Sequence, residues 1–256
     1  MSTSDVLIEF RNVTKSFGNL VVVEDLSFTV RKGEIVALLG RTGAGKSTVL
    51  NLVMGTLRTN GGTIEVAGFD PHKNFRDLRG RIAVSFQTDR LLPWRTAVEN
   101  AELGLLILGV AKKEARRRAL EWLERVKLRG AEHRYVHELS GGMRQRVSLA
   151  RALAVDPSII FLDESFSQLD HATARALRAD FQSIAAELGT TCLFVTHRIE
   201  DALEIADRAL ILTEGARIAL VEEIGPAARR DPAALAAMHD RIAAVLGDMS
   251  EEDEAP

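Results

Sequence analysis

Two glycine motifs about a hundred residues apart limit the architectures open to this chain. The first reads Gly40-Arg41-Thr42-Gly43-Ala44-Gly45-Lys46-Ser47-Thr48, and the second Leu139-Ser140-Gly141-Gly142-Met143-Arg144-Gln145-Arg146. The first fits G-x-x-x-x-G-K-[ST], a pattern that cradles phosphate only between a strand and a helix. The flanks supply both. Glu34 to Leu39 is a short apolar run ending at a glycine, and Lys46 to Met54 reads as a helix. Glycines at 40, 43 and 45 let backbone N–H groups approach a polyphosphate closely. The helix behind them adds the positive end of its dipole. Lys46 is then placed for the β- and γ-phosphates, Ser47 for Mg²⁺ and Thr48 for the α-phosphate.

A second segment completes such a site. Ile159-Ile160-Phe161-Leu162-Asp163-Glu164 is an apolar strand ending in two carboxylates, and charge at a buried strand end needs a partner. Mg²⁺ held by Asp163, directly or through water, supplies one. Glu164 is placed one residue further on, as general base for an attacking water.

The remaining sequence alternates strands and helices. Apolar runs at 6–10, 21–30, 63–67, 82–86, 158–162, 191–196 and 209–213 read as strands, the last as the end of the core sheet. Helical patterns at 46–54, 143–153 and 172–188 lie between them, which indicates an α/β fold with a largely parallel sheet. A helical stretch at 96–152 interrupts the alternation and marks an inserted helical subdomain. In the tail, Asp231 and Pro232 read as a helix start, with Leu235, Met238, Ile242, Val245 and Leu246 on one face. Residues 249–256 read as an acidic, disordered end.

Net charge of −3 gives no electrostatic case for nucleic acid, and the basic cluster Lys112 to Arg118 is diluted by nearby glutamates. The single cysteine, Cys192, lies in an apolar run and reads as a buried structural residue, so a reducing compartment is expected. The N-terminus lacks a signal-peptide pattern, and the longest apolar stretch, 103–111, is too short to span a membrane. Any membrane role is therefore expected through a partner.

Taken in order, these segments resemble the ATP-binding subunit of ATP-binding cassette (ABC) transporters. Leu139 to Arg146 is similar to the family signature LSGGQ, and the resemblance covers 5–215. It implies a RecA-like phosphate-loop core, an N-terminal antiparallel β subdomain and an inserted α-helical subdomain at about 88–155. It implies an ATPase whose Phe17 stacks on adenine, and whose phosphates are held by Gly40, Arg41, Thr42, Gly43, Ala44, Gly45, Lys46, Ser47 and Thr48. Gln87 takes the place of the glutamine that senses the γ-phosphate and metal, so Ser47, Gln87 and Asp163 are the implied metal ligands. Ser167-Gln168-Leu169-Asp170 resembles the segment after the catalytic glutamate, and His197 the switch histidine. Catalysis is then assigned to Glu164, His197, Lys46 and Gln87. Ser140, Gly141 and Gly142, at a helix N-terminus, would cap ATP held by a second copy in a head-to-tail homodimer. Four positions depart from the family pattern: Phe17 for Tyr, Met143 for Gln, Ser165 where many members have Pro, and Gln168 where Ala is common.

Gln87-Thr88-Asp89-Arg90-Leu91-Leu92-Pro93-Trp94-Arg95-Thr96-Ala97-Val98-Glu99-Asn100 is similar to a segment of importers for nitrate, sulfonates and taurine. That resemblance implies an integral-membrane permease as partner, met by Leu91, Leu92 and Trp94. Through the permease it implies a periplasmic or extracellular substrate-binding protein and a peripheral place on the cytoplasmic face of the inner membrane. The alternatives are a soluble ABC ATPase of assembly or repair, and an exporter cassette. Residues 216–248 are expected as an extension bearing the amphipathic helix.

Overall fold

The computed structural model describes residues 5–252, which divide into two units: 5–78 with 189–252, and 79–188.

In the first unit, β1 (Val6–Phe17) and β2 (Leu20–Arg31) form an antiparallel hairpin turned at Gly18 and Asn19. β4 (Gly61–Val66) adds to β1, also antiparallel. Phe10 faces Phe28 across the hairpin, and the rings stack at 4.5 Å, a cross-strand pair that fixes register. A second sheet carries β3 (Ile35–Gly40), which lies parallel to β7 (Thr191–Thr196) on one side and β8 (Arg208–Leu212) on the other. All six residues of β3 and all six of β7 are buried. Their continuous apolar character reflects a strand covered on both faces. Cys192 is among them, and burial pushes its thiol well above the usual range, as a structural cysteine requires.

The sheet does not end at β8. β9 (Ile218–Glu223) pairs antiparallel with β8 and makes the edge. The sequence reading closed the core at 209–213 because β9 spans only six positions, three of them exposed and its one buried residue a glutamate. Three helices also belong to this unit: α1 (Lys46–Val53), α7 (Ile199–Ile205) and α8 (Pro226–Arg229). The last helix is long, Pro232–Glu252, beginning at the expected proline. Asp231 Oδ1 accepts from the N–H of Ala233, the expected cap. Ile242 is fully buried and Arg241 pairs with Glu222 of β9 at 2.6 and 2.8 Å, which seats this helix on the edge strand. The acidic end expected at 249–256 is helical through Glu252; 253–256 lie outside the described residues.

The second unit holds two parallel strands, β5 (Ile82–Ser85) and β6 (Ile159–Asp163), with helices α2 (Ala97–Ala101), α3 (Leu103–Ile107), α4 (Lys112–Arg125), α5 (Gly141–Leu153) and α6 (His171–Leu188). Within the helical stretch that the sequence indicated at 96–152, α2, α3 and α4 are separate helices, broken at Glu102 and between Ile107 and Lys112. Thr96 and Glu99 form a reciprocal capping box at the start of α2.

Candidate functional site

The phosphate loop leaves the C-terminal end of β3, the end at which ligands bind in parallel sheets. Gly45 has φ +83°, and a Cβ there would lie 2.6 Å from the carbonyl oxygen of Val22 in β2. Only glycine meets both conditions. At Gly40 a Cβ would lie 2.6 Å from the Leu212 carbonyl oxygen, so β8 crowds the loop's entry. Gly43, at φ +93°, has open space around it. Lys46 is only 6% exposed, and its ammonium donates to the carbonyls of Gly40 (2.6 Å) and Arg41 (2.7 Å). These bonds satisfy a buried charge and hold it at the loop. Arg41, Thr42, Gly43 and Ser47 are exposed, Ala44 is buried and Thr48 is half-buried.

The same unit places His197 directly after β7. Thr196 pairs in register with Leu39, so His197 and the phosphate loop emerge at the same end of adjacent strands. The Thr196 hydroxyl donates to Asp201 (2.9 Å) and accepts from the Arg198 N–H (3.0 Å), which fixes the turn on which His197 stands. Phe17 ends β1 at 48% exposure, with the Lys15 ammonium 5.0 Å from its ring centre.

In the second unit, β5 and β6 end side by side, Ser85 opposite Leu162. Their outgoing loops therefore meet. Gln87 Nε2 donates to Glu164 Oε2 at 3.1 Å. Glu164 has φ +44°, a left-handed backbone uncommon outside glycine. Its carbonyl accepts from the Ser167 N–H (3.0 Å) and hydroxyl (2.8 Å), closing the turn. Asp163, half-buried, is the last residue of β6.

At the end of β5 and in the Gln87 loop that follows, side chains bond backbone carbonyls. Ser165 donates to Ser85 O (2.9 Å) and Gln145 to Phe86 O (3.3 Å). Arg151 donates to Asp89 O (2.7 Å) and Arg90 O (2.8 Å), while Arg144 pairs with the Asp89 carboxylate at 3.0 Å. Arg144, Gln145 and Arg151 all belong to α5, the helix that begins at the second glycine motif.

Ser140 is the N-cap of α5, its hydroxyl accepting from Met143 N–H at 3.3 Å. A Cβ on Gly142 would lie 2.6 Å from Thr173 Cγ2, so α6 packs closely there. Asp170 caps α6 and accepts from Thr173 N–H at 3.0 Å. The hydroxyl and N–H of Thr173 hold the Asp170 carboxyl below the ordinary range.

The segment 91–100 divides by burial. Leu91 is buried and packs internally, whereas Trp94 is 70% exposed. Asn100 is fully buried. Its Oδ1 accepts from Leu92 N–H at 2.7 Å, and its Nδ2 reaches the carbonyls of Leu92 (3.2 Å), Arg95 (3.3 Å) and Thr96 (3.0 Å). Sequence reasoning noted Asn100 only as the end of a pattern; a buried amide stapling the loop that bears Trp94 is its structural role. The carbonyl partners Ser165, Gln145 and Arg151 were missed for want of any local signal.

The Ser47 hydroxyl in the first unit, and the Asp163 carboxylate and Gln87 amide oxygen in the second, are each hard oxygen donors of the kind Mg²⁺ takes. Among the described residues no group of three or more His, Cys, Asp and Glu could hold a metal.

The family model described as "ABC transporter" matches residues 23–167. That span includes the phosphate loop, Gln87, the second glycine motif and Glu164, and excludes Phe17 and His197. The sulfate/thiosulfate import ATP-binding protein CysA 2 of Rhizobium meliloti is 40% identical over 222 residues, 85% of this chain and 59% of that protein. The Fe(3+) ions import ATP-binding protein FbpC 1 of Haemophilus influenzae is 39% identical over 215 residues, 84% of this chain and 65% of its own length. The chain thus spans about three fifths of the length of these relatives. Among solved structures, the ATP-binding cassette MJ0796, a dimer in a post-hydrolysis state bound to ADP and Pi, matches at TM-score 0.74 and 30% identity. That match covers 85% of this chain and 98% of the other.

Proposed function

Because the chain belongs to the ABC transporter family, we propose that it is the ATP-hydrolysing subunit of an importer. The observation that carries this reading is the contact between Gln87 and Glu164 at 3.1 Å. It joins the glutamine of one loop to the carboxylate that directly follows the other parallel strand, an arrangement suited to orienting a general base.

In this reading Phe17 offers a ring face to adenine. The N–H groups of residues 43–48 and the N-terminus of α1 receive the phosphates, with Lys46 at the β- and γ-positions. Ser47, Asp163 and Gln87 would hold Mg²⁺, which when bound would offset the negative charge of the phosphates. Glu164 takes the proton of the attacking water at a carboxylate oxygen, and Gln87 fixes that carboxylate's direction. His197 donates to the γ-phosphate. Ser140, Gly141 and Gly142 serve the ATP of a second copy, a reading supported by the dimeric state of MJ0796.

The partners in this reading are a second copy, a permease and, through the permease, a periplasmic or extracellular binding protein. The import names of the relatives support this. Among the described residues no helix is long and apolar enough to cross a membrane. We place the chain on the cytoplasmic face of the inner membrane, with exposed Trp94 as a contact for the permease. For the cargo, segment 87–100 supports nitrate, a sulfonate, taurine or a similar small solute.

Glu164→Gln tests the enzymatic assignment. It is expected to remove turnover and to trap an ATP-bound dimer in sizing experiments at saturating ATP. Parent turnover in that variant would overturn the assignment of the base. Uptake of labelled nitrate, sulfonate and taurine by vesicles carrying the chain and its permease tests the cargo.

A further inference from the structure

Glu164 is held by the residues that follow it in the chain. On its C-terminal side Ser167 closes a turn on its carbonyl, and between them stands Ser165, 6% exposed. The Ser165 hydroxyl donates to the carbonyl of Ser85 at 2.9 Å, and Ser85 is itself 1% exposed. Ser85 lies two residues before Gln87. One buried hydrogen bond therefore ties the backbone beside Glu164 to the backbone beside Gln87. A left-handed φ at a non-glycine residue persists only where the surroundings impose it. A proline at 165 could take no such role because it has no side-chain donor.

We propose that Ser165 is a positioning residue for hydrolysis: its hydroxyl sets the Glu164 loop against the Gln87 loop so that the amide and carboxylate meet. The inference rests on the assignment of Glu164 as the base. Ser165 touches neither substrate nor water in this scheme and acts only through the two loops.

The test is steady-state ATP hydrolysis by the full 256-residue chain with Mg²⁺ and ATP, together with titration of a fluorescent ATP analogue. Ser165→Ala is expected to lower kcat about tenfold, with KM and analogue affinity within about twofold of the parent. Ser165→Thr keeps the hydroxyl and is expected to restore kcat to within about twofold. The double variant Ser165→Ala/Gln87→Ala is expected to be no more than about twofold slower than the worse single variant, because both act through Glu164. Parent kcat in Ser165→Ala overturns the proposal. So does a joint loss of kcat and affinity without rescue by threonine, the mark of a folding residue alone. If Glu164→Gln is inactive while Ser165→Ala is unchanged, only this inference fails. If Glu164→Gln keeps parent turnover, the underlying assignment fails as well.

Discussion

The amide nitrogen of Gln87 lies 3.1 Å from a carboxylate oxygen of Glu164, across 77 residues of sequence. The two meet because β5 and β6 run parallel and end in register. A hydrogen bond to a charged acceptor contributes about 1.5–3 kcal/mol. Gln87→Ala should therefore slow ATP turnover by roughly tenfold or more. Unchanged turnover would remove Gln87 from the catalytic group.

The phosphate loop makes a contrast between neighbouring glycines. Gly45→Ala puts a Cβ against the Val22 carbonyl in a left-handed backbone, which should cost roughly 1–3 kcal/mol for the conformation alone. The expected outcome is lost ATP binding and a lower Tm. Gly43→Ala shares that conformational cost of roughly 1–3 kcal/mol, at φ +93°, but meets open space, so it should be the less destabilising of the two. Equal melting temperatures for the two variants would contradict this account.

Asp180 on α6 pairs with Lys127 at 2.5 Å and with Arg146 of the signature helix at 2.6 Å. Burial by itself raises its pKa, but hydrogen bonds and charge from those two cations outweigh burial and hold the carboxyl below the usual range. A depressed folded-state pKa stabilises the protein above the unfolded value of about 3.9, and that contribution is lost as pH falls through the folded value. Asp180→Asn should cost about 2 kcal/mol at pH 7, a Tm drop of roughly 4–8 °C. It should also flatten the decline of stability below about pH 4. A constant Tm difference between parent and variant down to pH 2 would count against the pairing.

Asn100 makes four contacts to the loop from Leu92 to Thr96, and Trp94 stands exposed on that loop. Trp94→Ala should weaken copurification with the permease and leave ATP binding intact. Asn100→Ala should do the same without touching the exposed surface, and should add about 1–3 kcal/mol of destabilisation from backbone groups left unpaired. Normal copurification of both variants would place the permease elsewhere.

What the residues alone determine is local chemistry. Gly40 to Thr48 between a strand and a helix, Ser140 ahead of α5, and carboxylates at the end of β6 are legible because caps, tight turns and strand ends are short-range events. The parallel core was legible too, since strands buried on both faces carry unbroken apolar runs. The tertiary structure decided which distant residues complete these pieces. β9 was hidden because an edge strand is half exposed and its pairing with β8 needs no strong pattern. Ser165, Gln145, Arg151 and Asn100 bond loop carbonyls far from them in sequence or across a turn. A carbonyl that leaves a sheet must find some donor, but which donor reaches it depends on how the strands and helices pack.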